Sequence, residues 1–395
     1  MSRIYQTGAE TQNTLEVTSP AGLAISTTKK TGKGSAASYA IGRSYNNGTA
    51  TTITMTANTS SMCYIKQDLY IETLPDVGSD DLFIRTVGLV GLYNSAASVN
   101  DVRIYNDGGT LKVILNINFE GSTAQTYTIA NLGVDFNTWF RFEAFFNSSP
   151  ADDSEVFEIR INGVPIINRT DLNFHVKTFT SVTLQAVNIS GAGPYDILFY
   201  ADNISINDSA GSINNSWIGE EYIAALSPTG AGSSNPTAGD YTSINEIPFT
   251  NTSTGSADRI ELDTNTTEAW FTITPALNSF DIVNAITVPI LIKEETSTVT
   301  SYQVGIKSAT AGTPQKSTAA DSGNTTVSYK NQLISETDPT TTSRWTVTGT
   351  NSLTNAQIGV LSLDPDDIWV TAMAAMVAYT PGQEPRNSGL LQMLW

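Results

Sequence analysis

One cysteine, Cys63, and one histidine, His175, serve all 395 residues. A single thiol excludes an intrachain disulfide, and with it a disulfide-stapled secreted scaffold. Cys63 lies in the strand-like run "SMCYIKQDLYIE", where a small buried apolar residue is its ordinary role. A lone histidine excludes multi-histidine zinc sites and can only begin a Ser/His/Asp triad. His175 stands among alternating apolar residues in "LNFHVKTF", as a strand-surface histidine does, and neither it nor Cys63 has a nucleophile–base motif around it. Charge is scarce and one-sided: Asp, Glu, Lys and Arg make up 15%, with 38 acidic against 20 basic residues and a net charge of −18. Such a surface repels phosphate backbones, so nucleic acid is not an expected partner. No apolar run reaches the ~20 residues of a spanning helix, and no basic segment leads into an apolar core at the start. Neither membrane insertion nor a signal peptide is therefore expected. Nucleotide cofactors are not indicated either, because no Gly-x-Gly-x-x-Gly opens a helix and no Walker-type loop occurs.

What the chain does have is strand text. Hydrophobic residues make up 40%, enough for globular cores. With few charges the surface falls to Thr, Ser, Asn and Gly, which suit exposed strands and turns. "DVRIYND", "LKVILNINFE", "SEVFEIRINGVPII" and "YDILFYADNISIND" alternate with period two. Asn106-Asp107-Gly108-Gly109 and Asn162-Gly163 are hairpin turns, since these residues tolerate positive φ. The polar stretch 209–216 reads as a linker between a first β-domain over 1–208 and a second β-sandwich over 217–380. "VTAMAAMVAY", Val370–Tyr379, carries helix-favouring Ala and Met but reads as a strand buried on both faces. "LTNAQIGVL" reads as a single helical turn. The tail 381–395 ends in Leu390, Leu391, Met393, Leu394 and Trp395, an apolar patch suited to a subunit contact or to folding back on its own domain.

Two resemblances follow from these motifs. Asn137–Ile167 and Tyr195–Asp208, with the paired runs at Met1–Thr11 and Leu23–Gly42, resemble a concanavalin-A-like or laminin-G-like jelly roll. Gly219, Glu220, Pro228, Gly230, Ala231, Gly232, Tyr241, Ile244, Asn245, Glu246 and Pro248 form a first ordered block. A second, within Glu336–Val360, consists of Asp338-Pro339, Trp345-Thr346 and Asn355-Ala356-Gln357 with Gly359-Val360. Together the blocks resemble a segment that follows jelly rolls in structural proteins of tailed bacteriophages.

Catalysis finds little purchase. Hydrolysis of a glycosidic bond needs two carboxylates about 5–10 Å apart, and the hydrolases of this fold class place them in a Glu-x-Asp-x-x-Glu string that is missing here. Glu143 in "RFEAFFN" and Glu158 in "FEIRING" are single carboxylates, read as structural contacts on the outer sheet. The acidic clusters Gly78–Asp81, Pro150–Glu155 and Leu363–Asp367 read as solvated turns. Within them Asp152 and Asp153 are the best-placed calcium candidates.

The expectation is an all-β chain, a concanavalin-like jelly roll followed by a second β-sandwich. It has no catalytic, cofactor-binding or metal residues assigned. The phage resemblance implies a non-enzymatic virion component of fibre, tail-tip or head-decoration type, made in the host cytoplasm. Its implied partners are other virion proteins, further copies of itself (a trimer in a fibre) and a host-surface glycan. The alternative is a lectin-like or glycan-cleaving protein that uses the concave face of the jelly roll.

Overall fold

The computed structural model describes residues 3–382 apart from 13–16, 18–22, 32–34, 36, 44–51, 77–81, 92–99, 118–124, 149–153, 173–178, 189–195, 211–212, 250–257, 264–266, 295–300, 310, 322–326, 351 and 364–366. The chain is all-β, built as two antiparallel sandwiches, the first a jelly roll. The first contains β1 (Arg3–Thr7), β2 (Ala24–Ser26), β3 (Ser38–Arg43), β4 (Thr52–Ser60), β5 (Met62–Thr73), β6 (Leu82–Gly91) and β7 (Asn100–Asp107). It continues with β8 (Thr110–Ile117), β9 (Gln125–Asn131), β10 (Trp139–Asn147), β11 (Glu155–Ile161), β12 (Val164–Leu172), β13 (Phe179–Asn188) and β14 (Ile197–Asn207). The order β12-β11-β10-β5-β14-β3-β2 makes one sheet, with β1 also on β14, and β4-β13-β6-β7-β8-β9 makes the other.

Alternation fixes which residues enter the core. In β11, Glu155, Phe157, Ile159 and Ile161 are buried while Val156, Glu158 and Arg160 are only half-buried. The β7–β8 hairpin pairs Asp107 with Thr110 across Gly108 and Gly109, both at positive φ, and Asn162-Gly163 closes β11–β12 in the same way.

The second sandwich contains β15 (Tyr222–Leu226), β16 (Pro228–Ala231), β17 (Ile260–Leu262), β18 (Glu268–Ile273), β19 (Ile282–Glu294) and β20 (Ser301–Lys307). Then come β21 (Gln315–Lys316), β22 (Ala320–Asp321), β23 (Ser328–Ser335), β24 (Gln357–Ser362), β25 (Ile368–Met373) and β26 (Ala375–Thr380). Val370–Tyr379 is strand on either side of Ala374, and both halves lie along β19. Met373, Ala375 and Val377 enter the main core, whereas Met376 and Ala378 pack with Ile223 on the opposite face. Two-sided burial overrides the helical propensity of Ala and Met. The turn expected in "LTNAQIGVL" is a 3₁₀ turn at Leu353–Asn355.

The two phage-like blocks meet around one tryptophan. Trp270 lies flat against β20 and β24, where a Cβ on Gly305 or Gly359 would stand 2.7 or 2.5 Å from its ring. Gly232 N donates to the Trp270 carbonyl, and Gln357 Oε1 accepts from Ser233 N. Glycine at 232 and 359 is thus demanded by close approach rather than by chain flexibility.

The sandwiches are joined through buried polar groups. The Arg3 guanidinium, on β1, grips Glu221 with Nη1 to Oε1 at 2.8 Å and Nη2 to Oε2 at 2.5 Å. Glu221 also accepts from Ser205 and from Asn284 of the second sandwich. Lys66 spends its three protons on Asp68, the Asn203 carbonyl and the Glu221 carbonyl. Asn203, at φ 48° in a bulge of β14, donates to Asp68 and accepts from Ile223 N. Gln6 Nε2 donates to the Met376 carbonyl, and Phe249 N to the Thr11 carbonyl. Trp217 packs edge-on against Tyr64 and tilted against Phe145, while Arg160 lies 3.8 Å over its ring. Within the expected linker Asn214 donates to the Asn284 carbonyl and to Glu336, and the Ser216 carbonyl accepts from Asn207.

Electrostatics in this joint pull in opposite directions. Burial pushes Glu221 up, but Arg3 and the hydrogen bonds outweigh it, so its carboxyl ends below the ordinary range. Burial dominates at Asp202, raised from 3.8 to about 7 against the hydrogen bond from Ser35 and with help from Asp68. Burial also raises Asp68, despite Lys66.

Two predictions follow from the joint. Glu221→Ala leaves Arg3 buried without its partner, and the expected loss is about 3–5 kcal/mol by urea denaturation; an unchanged midpoint would overturn the role assigned to the pair. For Asp202, the folded chain keeps a proton that the unfolded chain releases near pH 3.8. Its contribution is therefore fully present below that pH and is lost as pH rises to about 7. Asp202→Asn should flatten stability against pH in this window by up to about 1.4 kcal/mol per pH unit. Identical slopes in parent and variant would sink the assignment.

Candidate functional site

The outer face of the six-stranded sheet carries a rung of side chains unlike a solvated strand surface. Leu184 and Ala186 on β13, Ile84 on β6, Val102 and Ile104 on β7, and Val113 and Leu115 on β8 all point into the core. Period-two geometry then sends Gln185, Arg85, Arg103 and Ile114 outward. The register places these four opposite one another in sequence, with Ile129 of β9 completing the row. Arg85 and Arg103 are directly paired across two strands, which sets like charges side by side.

Three neighbours make this tolerable. Asp101 accepts from Arg85 Nε at 3.1 Å and from Arg103 Nε at 3.1 and 3.2 Å. Gln185 Oε1 accepts from Arg85 Nη1 at 2.8 Å. The buried Phe83 ring lies beneath both guanidiniums, 4.4 Å from Arg103 and 5.9 Å from Arg85, within a small cluster of Phe83, Tyr105 and Ile114. Asp101 has a side chain 1% exposed, whereas Arg85 and Arg103 remain 21% and 18% exposed. Two cations therefore share one buried anion and turn their outer edges to solvent. Among the described residues, neither terminal nitrogen of Arg103 has a protein acceptor. Chemically the rung is a fixed, half-neutralised guanidinium pair on an aromatic floor, suited to a planar carboxylate.

A second feature lies on the outer face of the eight-stranded sheet, where Glu220–Tyr222 crosses β5 and β10 beside the joint and leaves a cleft of about 240 Å³. Next to it Trp139, Tyr70 and Tyr200 pack edge to edge, and Lys29 Nζ donates to the Tyr70 hydroxyl at 2.8 Å. That hydrogen bond raises the Lys29 ammonium above its usual value. Burial and the Glu72 hydrogen bond raise the Tyr200 phenol.

The residues singled out from sequence lie elsewhere or play other parts. Cys63 is fully buried, and burial pushes its thiol well up, which disfavours the thiolate a nucleophile needs. Glu143 is held by Arg141 Nε and Gly219 N under the segment that joins the sandwiches. Glu158 pairs with Arg160. His175, Asp152, Asp153, the whole Gly78–Asp81 cluster and the tail apolar residues Leu390–Trp395 lie outside the described residues, as do 364–366 of the third acidic cluster. Among the described residues no three of His, Cys, Asp and Glu are grouped to hold a metal, and no helix is long and apolar enough to cross a membrane. Arg85, Arg103 and Asp101 carry no motif, since "DLFIRTVG" and "DVRIYND" read as ordinary alternation. The only signal was the outward parity of each arginine.

No protein-family model matches the chain, and no curated protein sequence matches it. Solved structures do. An alginate lyase, Aly36B, is similar over 43% of this chain and 80% of its own, with 12% identity and a TM-score of 0.34. An endo-β-1,4-glucuronan lyase from the fungus Trichoderma reesei is similar over 47% and 86%, with 8% identity and a TM-score of 0.36. A carbohydrate esterase from a Shiga toxin-encoding bacteriophage is similar over 47% and 86%, with 13% identity and a TM-score of 0.33. At these values the likeness bears on the fold of one sandwich and carries no activity across. The expectation of a chain without enzymatic activity is corrected: the structures of similar fold include two polysaccharide lyases and a carbohydrate esterase, which assign no activity to this chain. A missing pair of spaced carboxylates excludes one route of glycoside hydrolysis only. Proton abstraction beside a carboxylate, or ester cleavage, draws on other groups.

Proposed function

We propose that the chain is a glycan-recognising protein whose first sandwich holds a carboxylate-bearing polysaccharide across the outer face of its six-stranded sheet. The observation that carries this reading is the direct pairing of Arg85 with Arg103 over Phe83, with Asp101 their one acidic partner among the described residues. A like-charged cross-strand pair costs stability, and a ligand carboxylate between the two outer edges would relieve it. The extended rung from Gln185 to Ile129 suits a linear polymer better than a compact ligand. Titratable and hydroxyl groups near the rung, Tyr105 and Lys112 among them, leave room for chemistry on the bound chain.

The setting we propose is that of the phage resemblance: a virion subunit, assembled with copies of itself and with other particle proteins, which uses glycan binding for host attachment. What supports it is the convergence of the two blocks on Trp270, which makes them parts of one structural unit.

The test is binding of the full chain to alginate, polygalacturonate and a neutral glucan, at two salt concentrations. Acidic polymers should bind and the neutral one should not. Arg85→Gln with Arg103→Gln should weaken acidic-polymer binding by about a hundredfold, as loss of two charge-assisted contacts implies. Equal affinity in parent and double variant would overturn the reading. Appearance of unsaturated uronate ends during incubation would extend it from binding to cleavage.

A further inference from the structure

The cleft beside the joint has no part in the reading above. It lies on the opposite sheet of the first sandwich, and its walls come from both sides of the joint: Thr31, Asp68, Trp139 and Arg141 from the jelly roll, Glu220 and Tyr222 from the chain entering the second sandwich. We propose that this cleft binds a single uncharged sugar ring, held jointly by the two sandwiches.

Polarity decides the ligand class. Asp68 is 8% exposed, and both its ammonium and its amide partners, Lys66 and Asn203, are on Oδ2. Among the described residues Oδ1 accepts no hydrogen bond, and Asp68 lines the cleft. Arg141 spends Nε on Glu143, and among the described residues its terminal nitrogens have no acceptor. Glu220 is exposed at the rim and is oriented by the Tyr222 hydroxyl at 3.0 Å. The cleft thus presents carboxylate acceptors and guanidinium donors a few side chains apart. An anion would face Asp68 and Glu220, and a cation would face Arg141 and Lys66. A ligand that donates from some groups and accepts at others, without net charge, satisfies both. Adjacent ring hydroxyls do this.

Shape and size narrow it further. Trp139, half-buried and packed on Tyr70 at 5.5 Å between ring centres, gives a fixed aromatic wall for the apolar face of a pyranose. Pockets for drug-sized ligands span about 300–1,000 Å³. At about 240 Å³ this one takes one ring rather than a chain. The position gives the ring a structural consequence: Glu220 and Tyr222 flank Glu221, whose carboxylate grips Arg3, so an occupied cleft braces the joint from outside.

The test uses the full chain with glucose, galactose, mannose, N-acetylglucosamine and glucuronic acid as probes. Binding is followed by tryptophan fluorescence and saturation-transfer NMR, and the joint by thermal unfolding. At least one neutral sugar is expected to bind with a Kd on the order of 1 mM or tighter, to raise the unfolding temperature, and to outcompete glucuronic acid. Trp139→Ala and Glu220→Gln should each weaken it by about tenfold or more. Glu220 lies on the exposed rim, so its variant keeps the test open should Trp139→Ala misfold. Arg103→Gln should leave this binding unchanged, which separates the cleft from the acidic-polymer face. Absence of binding by every neutral probe, parent-like binding in Glu220→Gln, or tighter binding of glucuronic acid would each overturn the proposal.

Discussion

The ion pair between Arg3 and Glu221 organises this molecule. Both side chains are out of water: Ser205 and Asn284 add hydrogen bonds on the carboxylate and Ser205 on the guanidinium, while Arg3 Nε is buried without a partner among the described residues. A buried pair of this kind is weak evidence for added stability but strong evidence for a fixed geometry, because removing either member strands the other. Here the geometry fixed is that of two sandwiches. β1 runs along β14, its Gln6 reaches β26, and Glu221 opens the second sandwich, so one strand serves as a seam with a jelly roll on one side and β15, β19 and β26 on the other.

Around that seam the outer face of the eight-stranded sheet gives up its expected role as a wet surface. Lys66, Asp68, Glu143 and Asp202 would be ordinary outward-facing charges in an isolated jelly roll. Lys66 and Glu143 are bonded by the chain at Gly219 and Glu221, while Asp202 is enclosed by Thr31 and Ser35 and is left with more desolvation than compensation. The six-stranded sheet keeps its outer face, and there the uncompensated charge is positive. The two faces of one sandwich therefore differ in character for a single reason: one is covered by the second sandwich and the other is not.

The fold was legible where the information is local. Alternation in Glu155–Ile161, the turn residues Asn162-Gly163 and Gly108-Gly109, and the doubly apolar run Val370–Tyr379 each name their own conformation. The sites were not, because each depends on register between distant segments. Arg85 meets Arg103 only through the β6–β7 pairing, and Asp68 nears Asp202 only because β5 pairs with β14. Asp68 in "KQDLY" and Glu220 in "GEEY" look like solvated acids, and nothing in either string says that they share a cleft. Trp270 is an intermediate case. Its alternation marks a strand, but the glycines that receive its ring, at 305 and 359, lie on two other strands.

The seam also orders events during synthesis. At roughly 5–20 residues per second, the stretch between Arg3 and Glu221 takes on the order of 10–40 s to emerge from a ribosome. Until then β1 has neither β14 nor its counter-ion, so an isolated arginine strand waits with its backbone unpaired while β5 to β12 are made. The jelly roll can assemble most of its two sheets in that interval, but β1 finds its partner strand only when Ile197–Asn207 has been made, and its counter-ion only with Glu221. Nascent chains of this protein are thus open to edge-to-edge pairing with one another until nearly the whole first sandwich has been made, and crowding on a polysome is where that exposure matters most.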